Sequence, residues 1–122
     1  MEKEFVTYDQ ALTLNELGFK ERVSHYFEDG VLKIYTNVTG WDFNTSFTTC
    51  VSRPTKAQAF RWFRENYNWT IKVNQVSKNN WSYTLDNFPK DRTYYGEVYK
   101  TYEEAELECL NKLIEIVESK SE

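Results

Sequence analysis

Histidine is nearly missing from this chain of 122 residues: His25 is the only one, and Cys50 and Cys109 are the only cysteines. Neither cysteine belongs to a CxxC or Cys/His cluster, so no zinc site of the usual ligand spacing can be assembled. Neither a metal nor a cofactor is expected. GxSxG, HExxH, Walker and Gly-rich phosphate-loop sequences are also absent, which removes the best-known carriers of hydrolase and nucleotide chemistry. His25 lies in an alternating run and reads as a structural or surface residue. It would act as a general base only if a carboxylate and a pocket converged on it. A Cys50–His25 pair across adjacent strands has no local signature behind it. The expectation is a protein that is not an enzyme.

No run approaches the roughly 18 consecutive apolar residues of a membrane span, and the opening MEKEFVTY lacks a basic segment followed by an apolar one. No membrane association is expected, and two unclustered thiols fit a cytoplasmic setting. Only 4 glycines and 2 prolines argue against a disordered or fibrous chain. Rings are abundant instead, with 4 Trp, 9 Tyr and 8 Phe. They must supply much of the core, and some of them a surface.

Charge is unevenly placed along the sequence. Residues 1–50 hold four basic and eight acidic side chains, 51–92 eight and three, and 93–122 three and eight. The overall balance of −4 gives no reason to expect duplex nucleic acid, which needs a concentrated positive footprint. The basic middle is either complementary to its acidic neighbours or a binding face.

Three helix starts share one form. Thr7-Tyr8-Asp9-Gln10, Thr55-Lys56-Ala57-Gln58 and Thr101-Tyr102-Glu103-Glu104 are capping boxes, each with Ala four positions after the Thr. They lie 48 and then 46 residues apart. The first opens a helix at Tyr8–Leu17, ended by Gly18. The second opens an amphipathic helix within Pro54–Tyr67 with Ala59, Phe60 and Phe63 inward, and Asn68 caps it. The third opens a helix running to about Ser119, whose buried face is Ala105, Cys109, Leu110, Leu113, Ile116 and Val117.

Between the helices the apolar period is two. A hairpin is expected from Val23–Phe27 and Val31–Thr36 around Glu28-Asp29-Gly30, with a third strand at Thr45–Ser52. Trp69–Asn74, Trp81–Asp86 and Thr93–Lys100 then form an antiparallel meander. The chain is therefore read as α+β, a mainly antiparallel sheet with three helices in the order α-β-β-β-α-β-β-β-α, the helices packed on one face. It is one domain, built of two helix-plus-strands units at about 7–52 and 55–100 and a closing helix at about 102–119.

The pieces FVTYDQALTLNELGF, QAFRWFRENY and TYEEAELECLNKLIEI resemble those of a family of small uncharacterised proteins encoded by phages and integrated mobile elements of gut bacteria. The resemblance covers most of the chain and is strongest in the helices. It implies a small intracellular accessory protein and supplies no activity, substrate or catalytic residue.

Function then rests on contact residues. Arg53, Lys56, Arg61 and Arg64 stand near Trp62, and Lys72 and Lys78 near Trp69 and Trp81. Rings over a basic groove hold single-stranded nucleic acid, at roughly 1–3 kcal/mol per stacked base. Trp, Tyr and Arg left on a surface equally dominate protein interfaces. Alternation puts Tyr95 and Tyr99 on one side of the last strand and Tyr94 and Val98 on the other, one set for the core and one for a partner or a second copy. The candidate contacts are Arg61, Trp62, Arg64, Lys72, Trp81, Tyr95 and Tyr99. A protein partner, including a second copy as a homodimer, is the first expectation, and single-stranded nucleic acid the alternative.

Overall fold

A computed structural model describes residues 2–36, 39–87 and 93–121. The architecture is α+β, with antiparallel pairing throughout and two separate three-stranded sheets where one was expected. The chain divides into two compact units, Met1–Ala59 and Phe60–Glu122.

In the first unit, helix α1 (Tyr8–Leu17) begins with the full capping box. The Gln10 amide donates to Thr7 Oγ1 at 3.2 Å, and the Thr7 amide donates to Gln10 Oε1 at 2.9 Å. Gly18 closes the helix at φ 99, and the Phe19 amide reaches back to the Leu14 carbonyl at 3.0 Å, which lets Phe19 turn inward. Strands β1 (His25–Glu28) and β2 (Val31–Ile34) are joined by Asp29 and Gly30, both at positive φ, the mirror-image turn whose twist suits a two-residue hairpin. Strand β3 (Cys50–Arg53) pairs with β1, not β2, giving the order β2-β1-β3. Helix α1 packs against β3, and Ala11, Leu14, Phe19, Val23, Phe27 and Cys50 are buried.

The third strand starts five residues later than its Thr and Phe content suggests. Asp42 caps a short helix α2 (Phe43–Ser46) by accepting from the Thr45 amide at 3.2 Å. Asn44 then uses both ends of its side chain, donating to the Phe19 carbonyl and accepting from the Ser52 amide, each at 2.8 Å. These side-chain bonds offer the backbone a helical turn in place of a ladder. Residues 37 and 38, within the turn expected before this segment, lie outside the described residues.

Helix α3 (Lys56–Tyr67) starts where expected, with the Gln58 amide donating to Thr55 Oγ1 at 3.1 Å. Here the Gln58 side chain turns elsewhere: its amide nitrogen donates to the Arg22 carbonyl at 2.9 Å. Asn68 at φ 58 ends the helix, its amide donating to the Arg64 carbonyl.

In the second unit, strands β4 (Trp69–Ser77) and β5 (Asn80–Asn87) pair in the register Ile71↔Leu85 and Val73↔Tyr83, and β6 (Thr93–Tyr95) joins β5 in the order β4-β5-β6. Residues 88–92, where the turn containing Pro89 was expected, lie outside the described residues. Helix α4 (Tyr102–Ser121) lies on β5 and β4 and buries Ala105, Cys109, Leu110, Leu113, Ile116 and Val117, the face that periodicity assigned to it.

Strand β6 is shorter than Thr93–Lys100, and the reason is a change of register. Thr84 pairs with Tyr95, and the Gly96 amide still donates to the Tyr83 carbonyl at 2.9 Å. Trp81 then pairs with Tyr99 as an isolated bridge, one residue out of step. The extra residue is accommodated at Glu97–Val98, as in a bulge, and it reverses the side on which later residues point. Tyr95 and Tyr99 therefore lie on opposite faces, correcting the simple alternation. Tyr94 and Tyr99 face the α4 side, while Tyr95 is 78% exposed on the other.

Candidate functional site

The ionisable groups with catalytic potential are dispersed. His25 lies against Phe5, the rings tilted by 37° with centroids 4.2 Å apart, and its Nδ1 lies 2.8 Å from Ser24 Oγ. Cys50 pairs across the ladder with Glu28 and His25 with Arg53, so the thiol and the imidazole point to opposite faces of the first sheet. Burial pushes the Cys50 thiol up, a hydrogen bond with Thr49 offsets part of that, and Glu28 and Asp29 each raise it by less. Burial also pushes Cys109 up to about 12, with Glu106 contributing. Both thiols thus resist the thiolate form that nucleophilic chemistry requires. Among the described residues, no group of three or more His, Cys, Asp or Glu side chains could hold a metal ion. No described helix is long and apolar enough to cross a membrane.

The basic and aromatic middle of the sequence is split by burial. Arg53 and Lys56 are buried in the first unit, and Trp62 and Trp69 are buried as well. Arg61 and Arg64 are exposed on α3, where Trp62 packs edge-on against Phe63 and Tyr67. Trp81 is half-buried and meets Tyr102 edge-to-face at 5.4 Å, and Tyr99 is half-buried, stacked over Tyr83 at 6.4 Å. Lys72 and Tyr95 do come together. They flank Thr84 in one cross-strand row, on the sheet face opposite α4. Among the described residues that face otherwise includes Thr70, Asn74, Asn80, Ser82, Asp86 and Thr93, and these offer one exposed ring and one charge of each sign, not a stacking platform.

Two open grooves lie in the second unit. One, of about 380 Å³, is lined by Glu97, Tyr99, Glu104, Leu107 and Glu108, and the other, of about 190 Å³, by Tyr94, Lys112, Glu115, Ile116 and Ser119. Burial raises the Tyr99 hydroxyl and Glu108 adds to the effect, so the phenol stays protonated beside the carboxylates. It can donate a hydrogen bond there. No orphaned buried polar side-chain atom points into either groove, since none occurs among the described residues.

The exposed apolar surface that stands out is strand β2. Val31 is 58% exposed, Leu32 40% and Ile34 63%, and Lys33 between them is exposed too. Apolar residues of both parities are therefore in solvent, so neither face of this strand is fully covered. Because β3 pairs with the other side of β1, β2 is an end strand of its sheet, as β3 is on the opposite edge. The Tyr35 amide donates to the Ser24 carbonyl at 2.7 Å, which fixes the odd-numbered residues of this strand as those turned toward β1. The N–H and C=O groups of Leu32 and Ile34 consequently point outward, away from the sheet.

Sequence reasoning passed over these four residues because alternation assigns one parity to the core. The available signal was the run Val31-Leu32-Lys33-Ile34 itself, apolar on both faces with a lysine in the middle, a mark of edge strands. No family model, curated protein or solved structure matches this chain.

Proposed function

We propose that this chain is a small non-enzymatic binding protein, an accessory of phage or mobile-element type, whose partner is another protein. The observation that carries the reading is strand β2, which keeps Val31, Leu32 and Ile34 in water at the end of its sheet. Exposed apolar side chains beside outward-pointing backbone donors and acceptors are the features that strand-adding partners use. Placement of the rings supports a protein over single-stranded nucleic acid. Trp62 and Trp69 are inside, Trp81 is partly covered, and among the described residues on the open face of the second sheet Tyr95 is the single exposed ring. The resisting thiols and the separated His25 and Cys50 support a role without covalent chemistry.

The test is affinity capture from the native host with the whole chain as bait, read by mass spectrometry beside the Ile34→Glu variant. Ile34 is exposed, so the charge costs within about 0.5 kcal/mol of stability. The expected result is a protein enriched on the wild type and reduced at least tenfold on the variant. An identical set of captured proteins on the two baits would contradict it.

A further inference from the structure

Lys33 stands at the centre of the β2 margin, opposite Tyr26 and not an acid on the neighbouring strand. Its side chain is exposed, and it is the one charged residue of Val31–Ile34. Just before Val31 stand Glu28, the last residue of β1, and Asp29 of the turn, so the Val31 end of the margin is acidic while Tyr35 and Thr36 at its other end carry no charge. Leu32 and Ile34 point their backbone groups outward, as the Tyr35–Ser24 bond requires. An added antiparallel strand that uses both residues places one of its own side chains directly opposite Lys33 and, on the other face, apolar positions opposite Leu32 and Ile34.

A second copy fits poorly in that register. Pairing Leu32 with Ile34 of another copy, and the reverse, sets Lys33 against its own equivalent, and like charges directly opposite destabilise a ladder. Lysine at an edge is also a common guard against self-association. An acid opposite Lys33 removes that obstacle. The same acid moved two or more residues further along would meet the Glu28–Asp29 turn, which gives the margin one preferred register.

We infer that β2 accepts an extended segment of a partner protein as an added antiparallel strand, with an acidic residue of that segment opposite Lys33 and apolar residues on each side of it. This rests on the protein-binding reading above and names the partner's local chemistry. Backbone bonds at Leu32 and Ile34 supply the pairing, and Lys33 supplies register and choice.

The test is selection of a random displayed peptide library on the whole immobilised chain, run in parallel on Lys33→Glu. The substitution is at an exposed position and leaves the core untouched. Wild type is expected to enrich apolar-acid-apolar sequences, and Lys33→Glu apolar-basic-apolar ones. Each selected peptide should bind its own bait roughly five- to tenfold more tightly than the other, the size set by exchanging an opposite-charge pair for a like-charge pair. Enrichment with no dependence on charge, no enrichment at all, or a wild-type dimer that Ile34→Glu dissolves would overturn the proposal. Charge-independent enrichment together with a host protein lost on Ile34→Glu would remove the register and leave protein binding standing.

Discussion

Replacing Arg53 by leucine is expected to destabilise the chain by about 3 kcal/mol, although leucine suits a buried site in volume and polarity. Arg53 is 6% exposed, and its Nε donates to the Val6 carbonyl at 2.8 Å. Its guanidinium carbon lies 5.3 Å from the centre of the Phe5 ring and 5.4 Å from that of Phe27, a cation held between two aromatic faces. Those contacts gain in strength because water is excluded. Leucine leaves a buried carbonyl without its donor and removes both cation–ring contacts. Arg53→Lys should recover little, since an ammonium has neither the Nε–H at that position nor a flat face to lie along the rings. Urea unfolding of the three proteins checks this, and equal midpoints for wild type and Arg53→Lys would count against it.

Gly96→Ala is expected to cost about 3 kcal/mol, far more than a methyl group usually does at a strand end. The reason is steric, not a matter of glycine's freedom. A Cβ at residue 96 would enter the ring of Tyr83, which is itself buried and stacked over Tyr99. The ring has little room to give, and moving residue 96 would break the hydrogen bond that its amide donates to the Tyr83 carbonyl. A smaller side chain at 83 should absorb the methyl group. In a double-mutant cycle, Gly96→Ala with Tyr83→Ala should therefore cost less than the two single changes added together, by about 1 kcal/mol or more. Simple additivity would show that the close approach of Gly96 to the ring is not the cause.

Both residues show where sequence reasoning stops. The three long helices were legible because their signals are local: Thr7, Thr55 and Thr101 each accept from the amide three residues on, and Gly18 and Asn68 take the left-handed conformation that ends a helix. The buried stripe of α4 followed from spacing alone. Arg53 and Lys56 looked like members of a basic surface because composition records charge and not cover; Arg53 is buried by Phe5, Val6 and Phe27, which are distant in sequence. Tyr95 and Tyr99 were placed together because alternation assumes an unbroken ladder, and the register change after Gly96 depends on Tyr83, thirteen positions earlier in the chain. The candidate surface was hidden for a related reason. Strand β2 is an end strand because β3 returns to β1, a pairing between residues far apart in sequence, and the lysine within the apolar run Val31–Ile34 is its local trace.

Amide hydrogen exchange along β2, followed residue by residue by NMR on the free chain, tests the open margin most directly. Amides of Val31, Lys33 and Tyr35 face β1 and should be protected, while those of Leu32 and Ile34 should exchange nearly as fast as in an unfolded peptide. Protection of Leu32 and Ile34 equal to that of their neighbours would mean that the margin is already occupied, and would contradict a strand kept open for a partner.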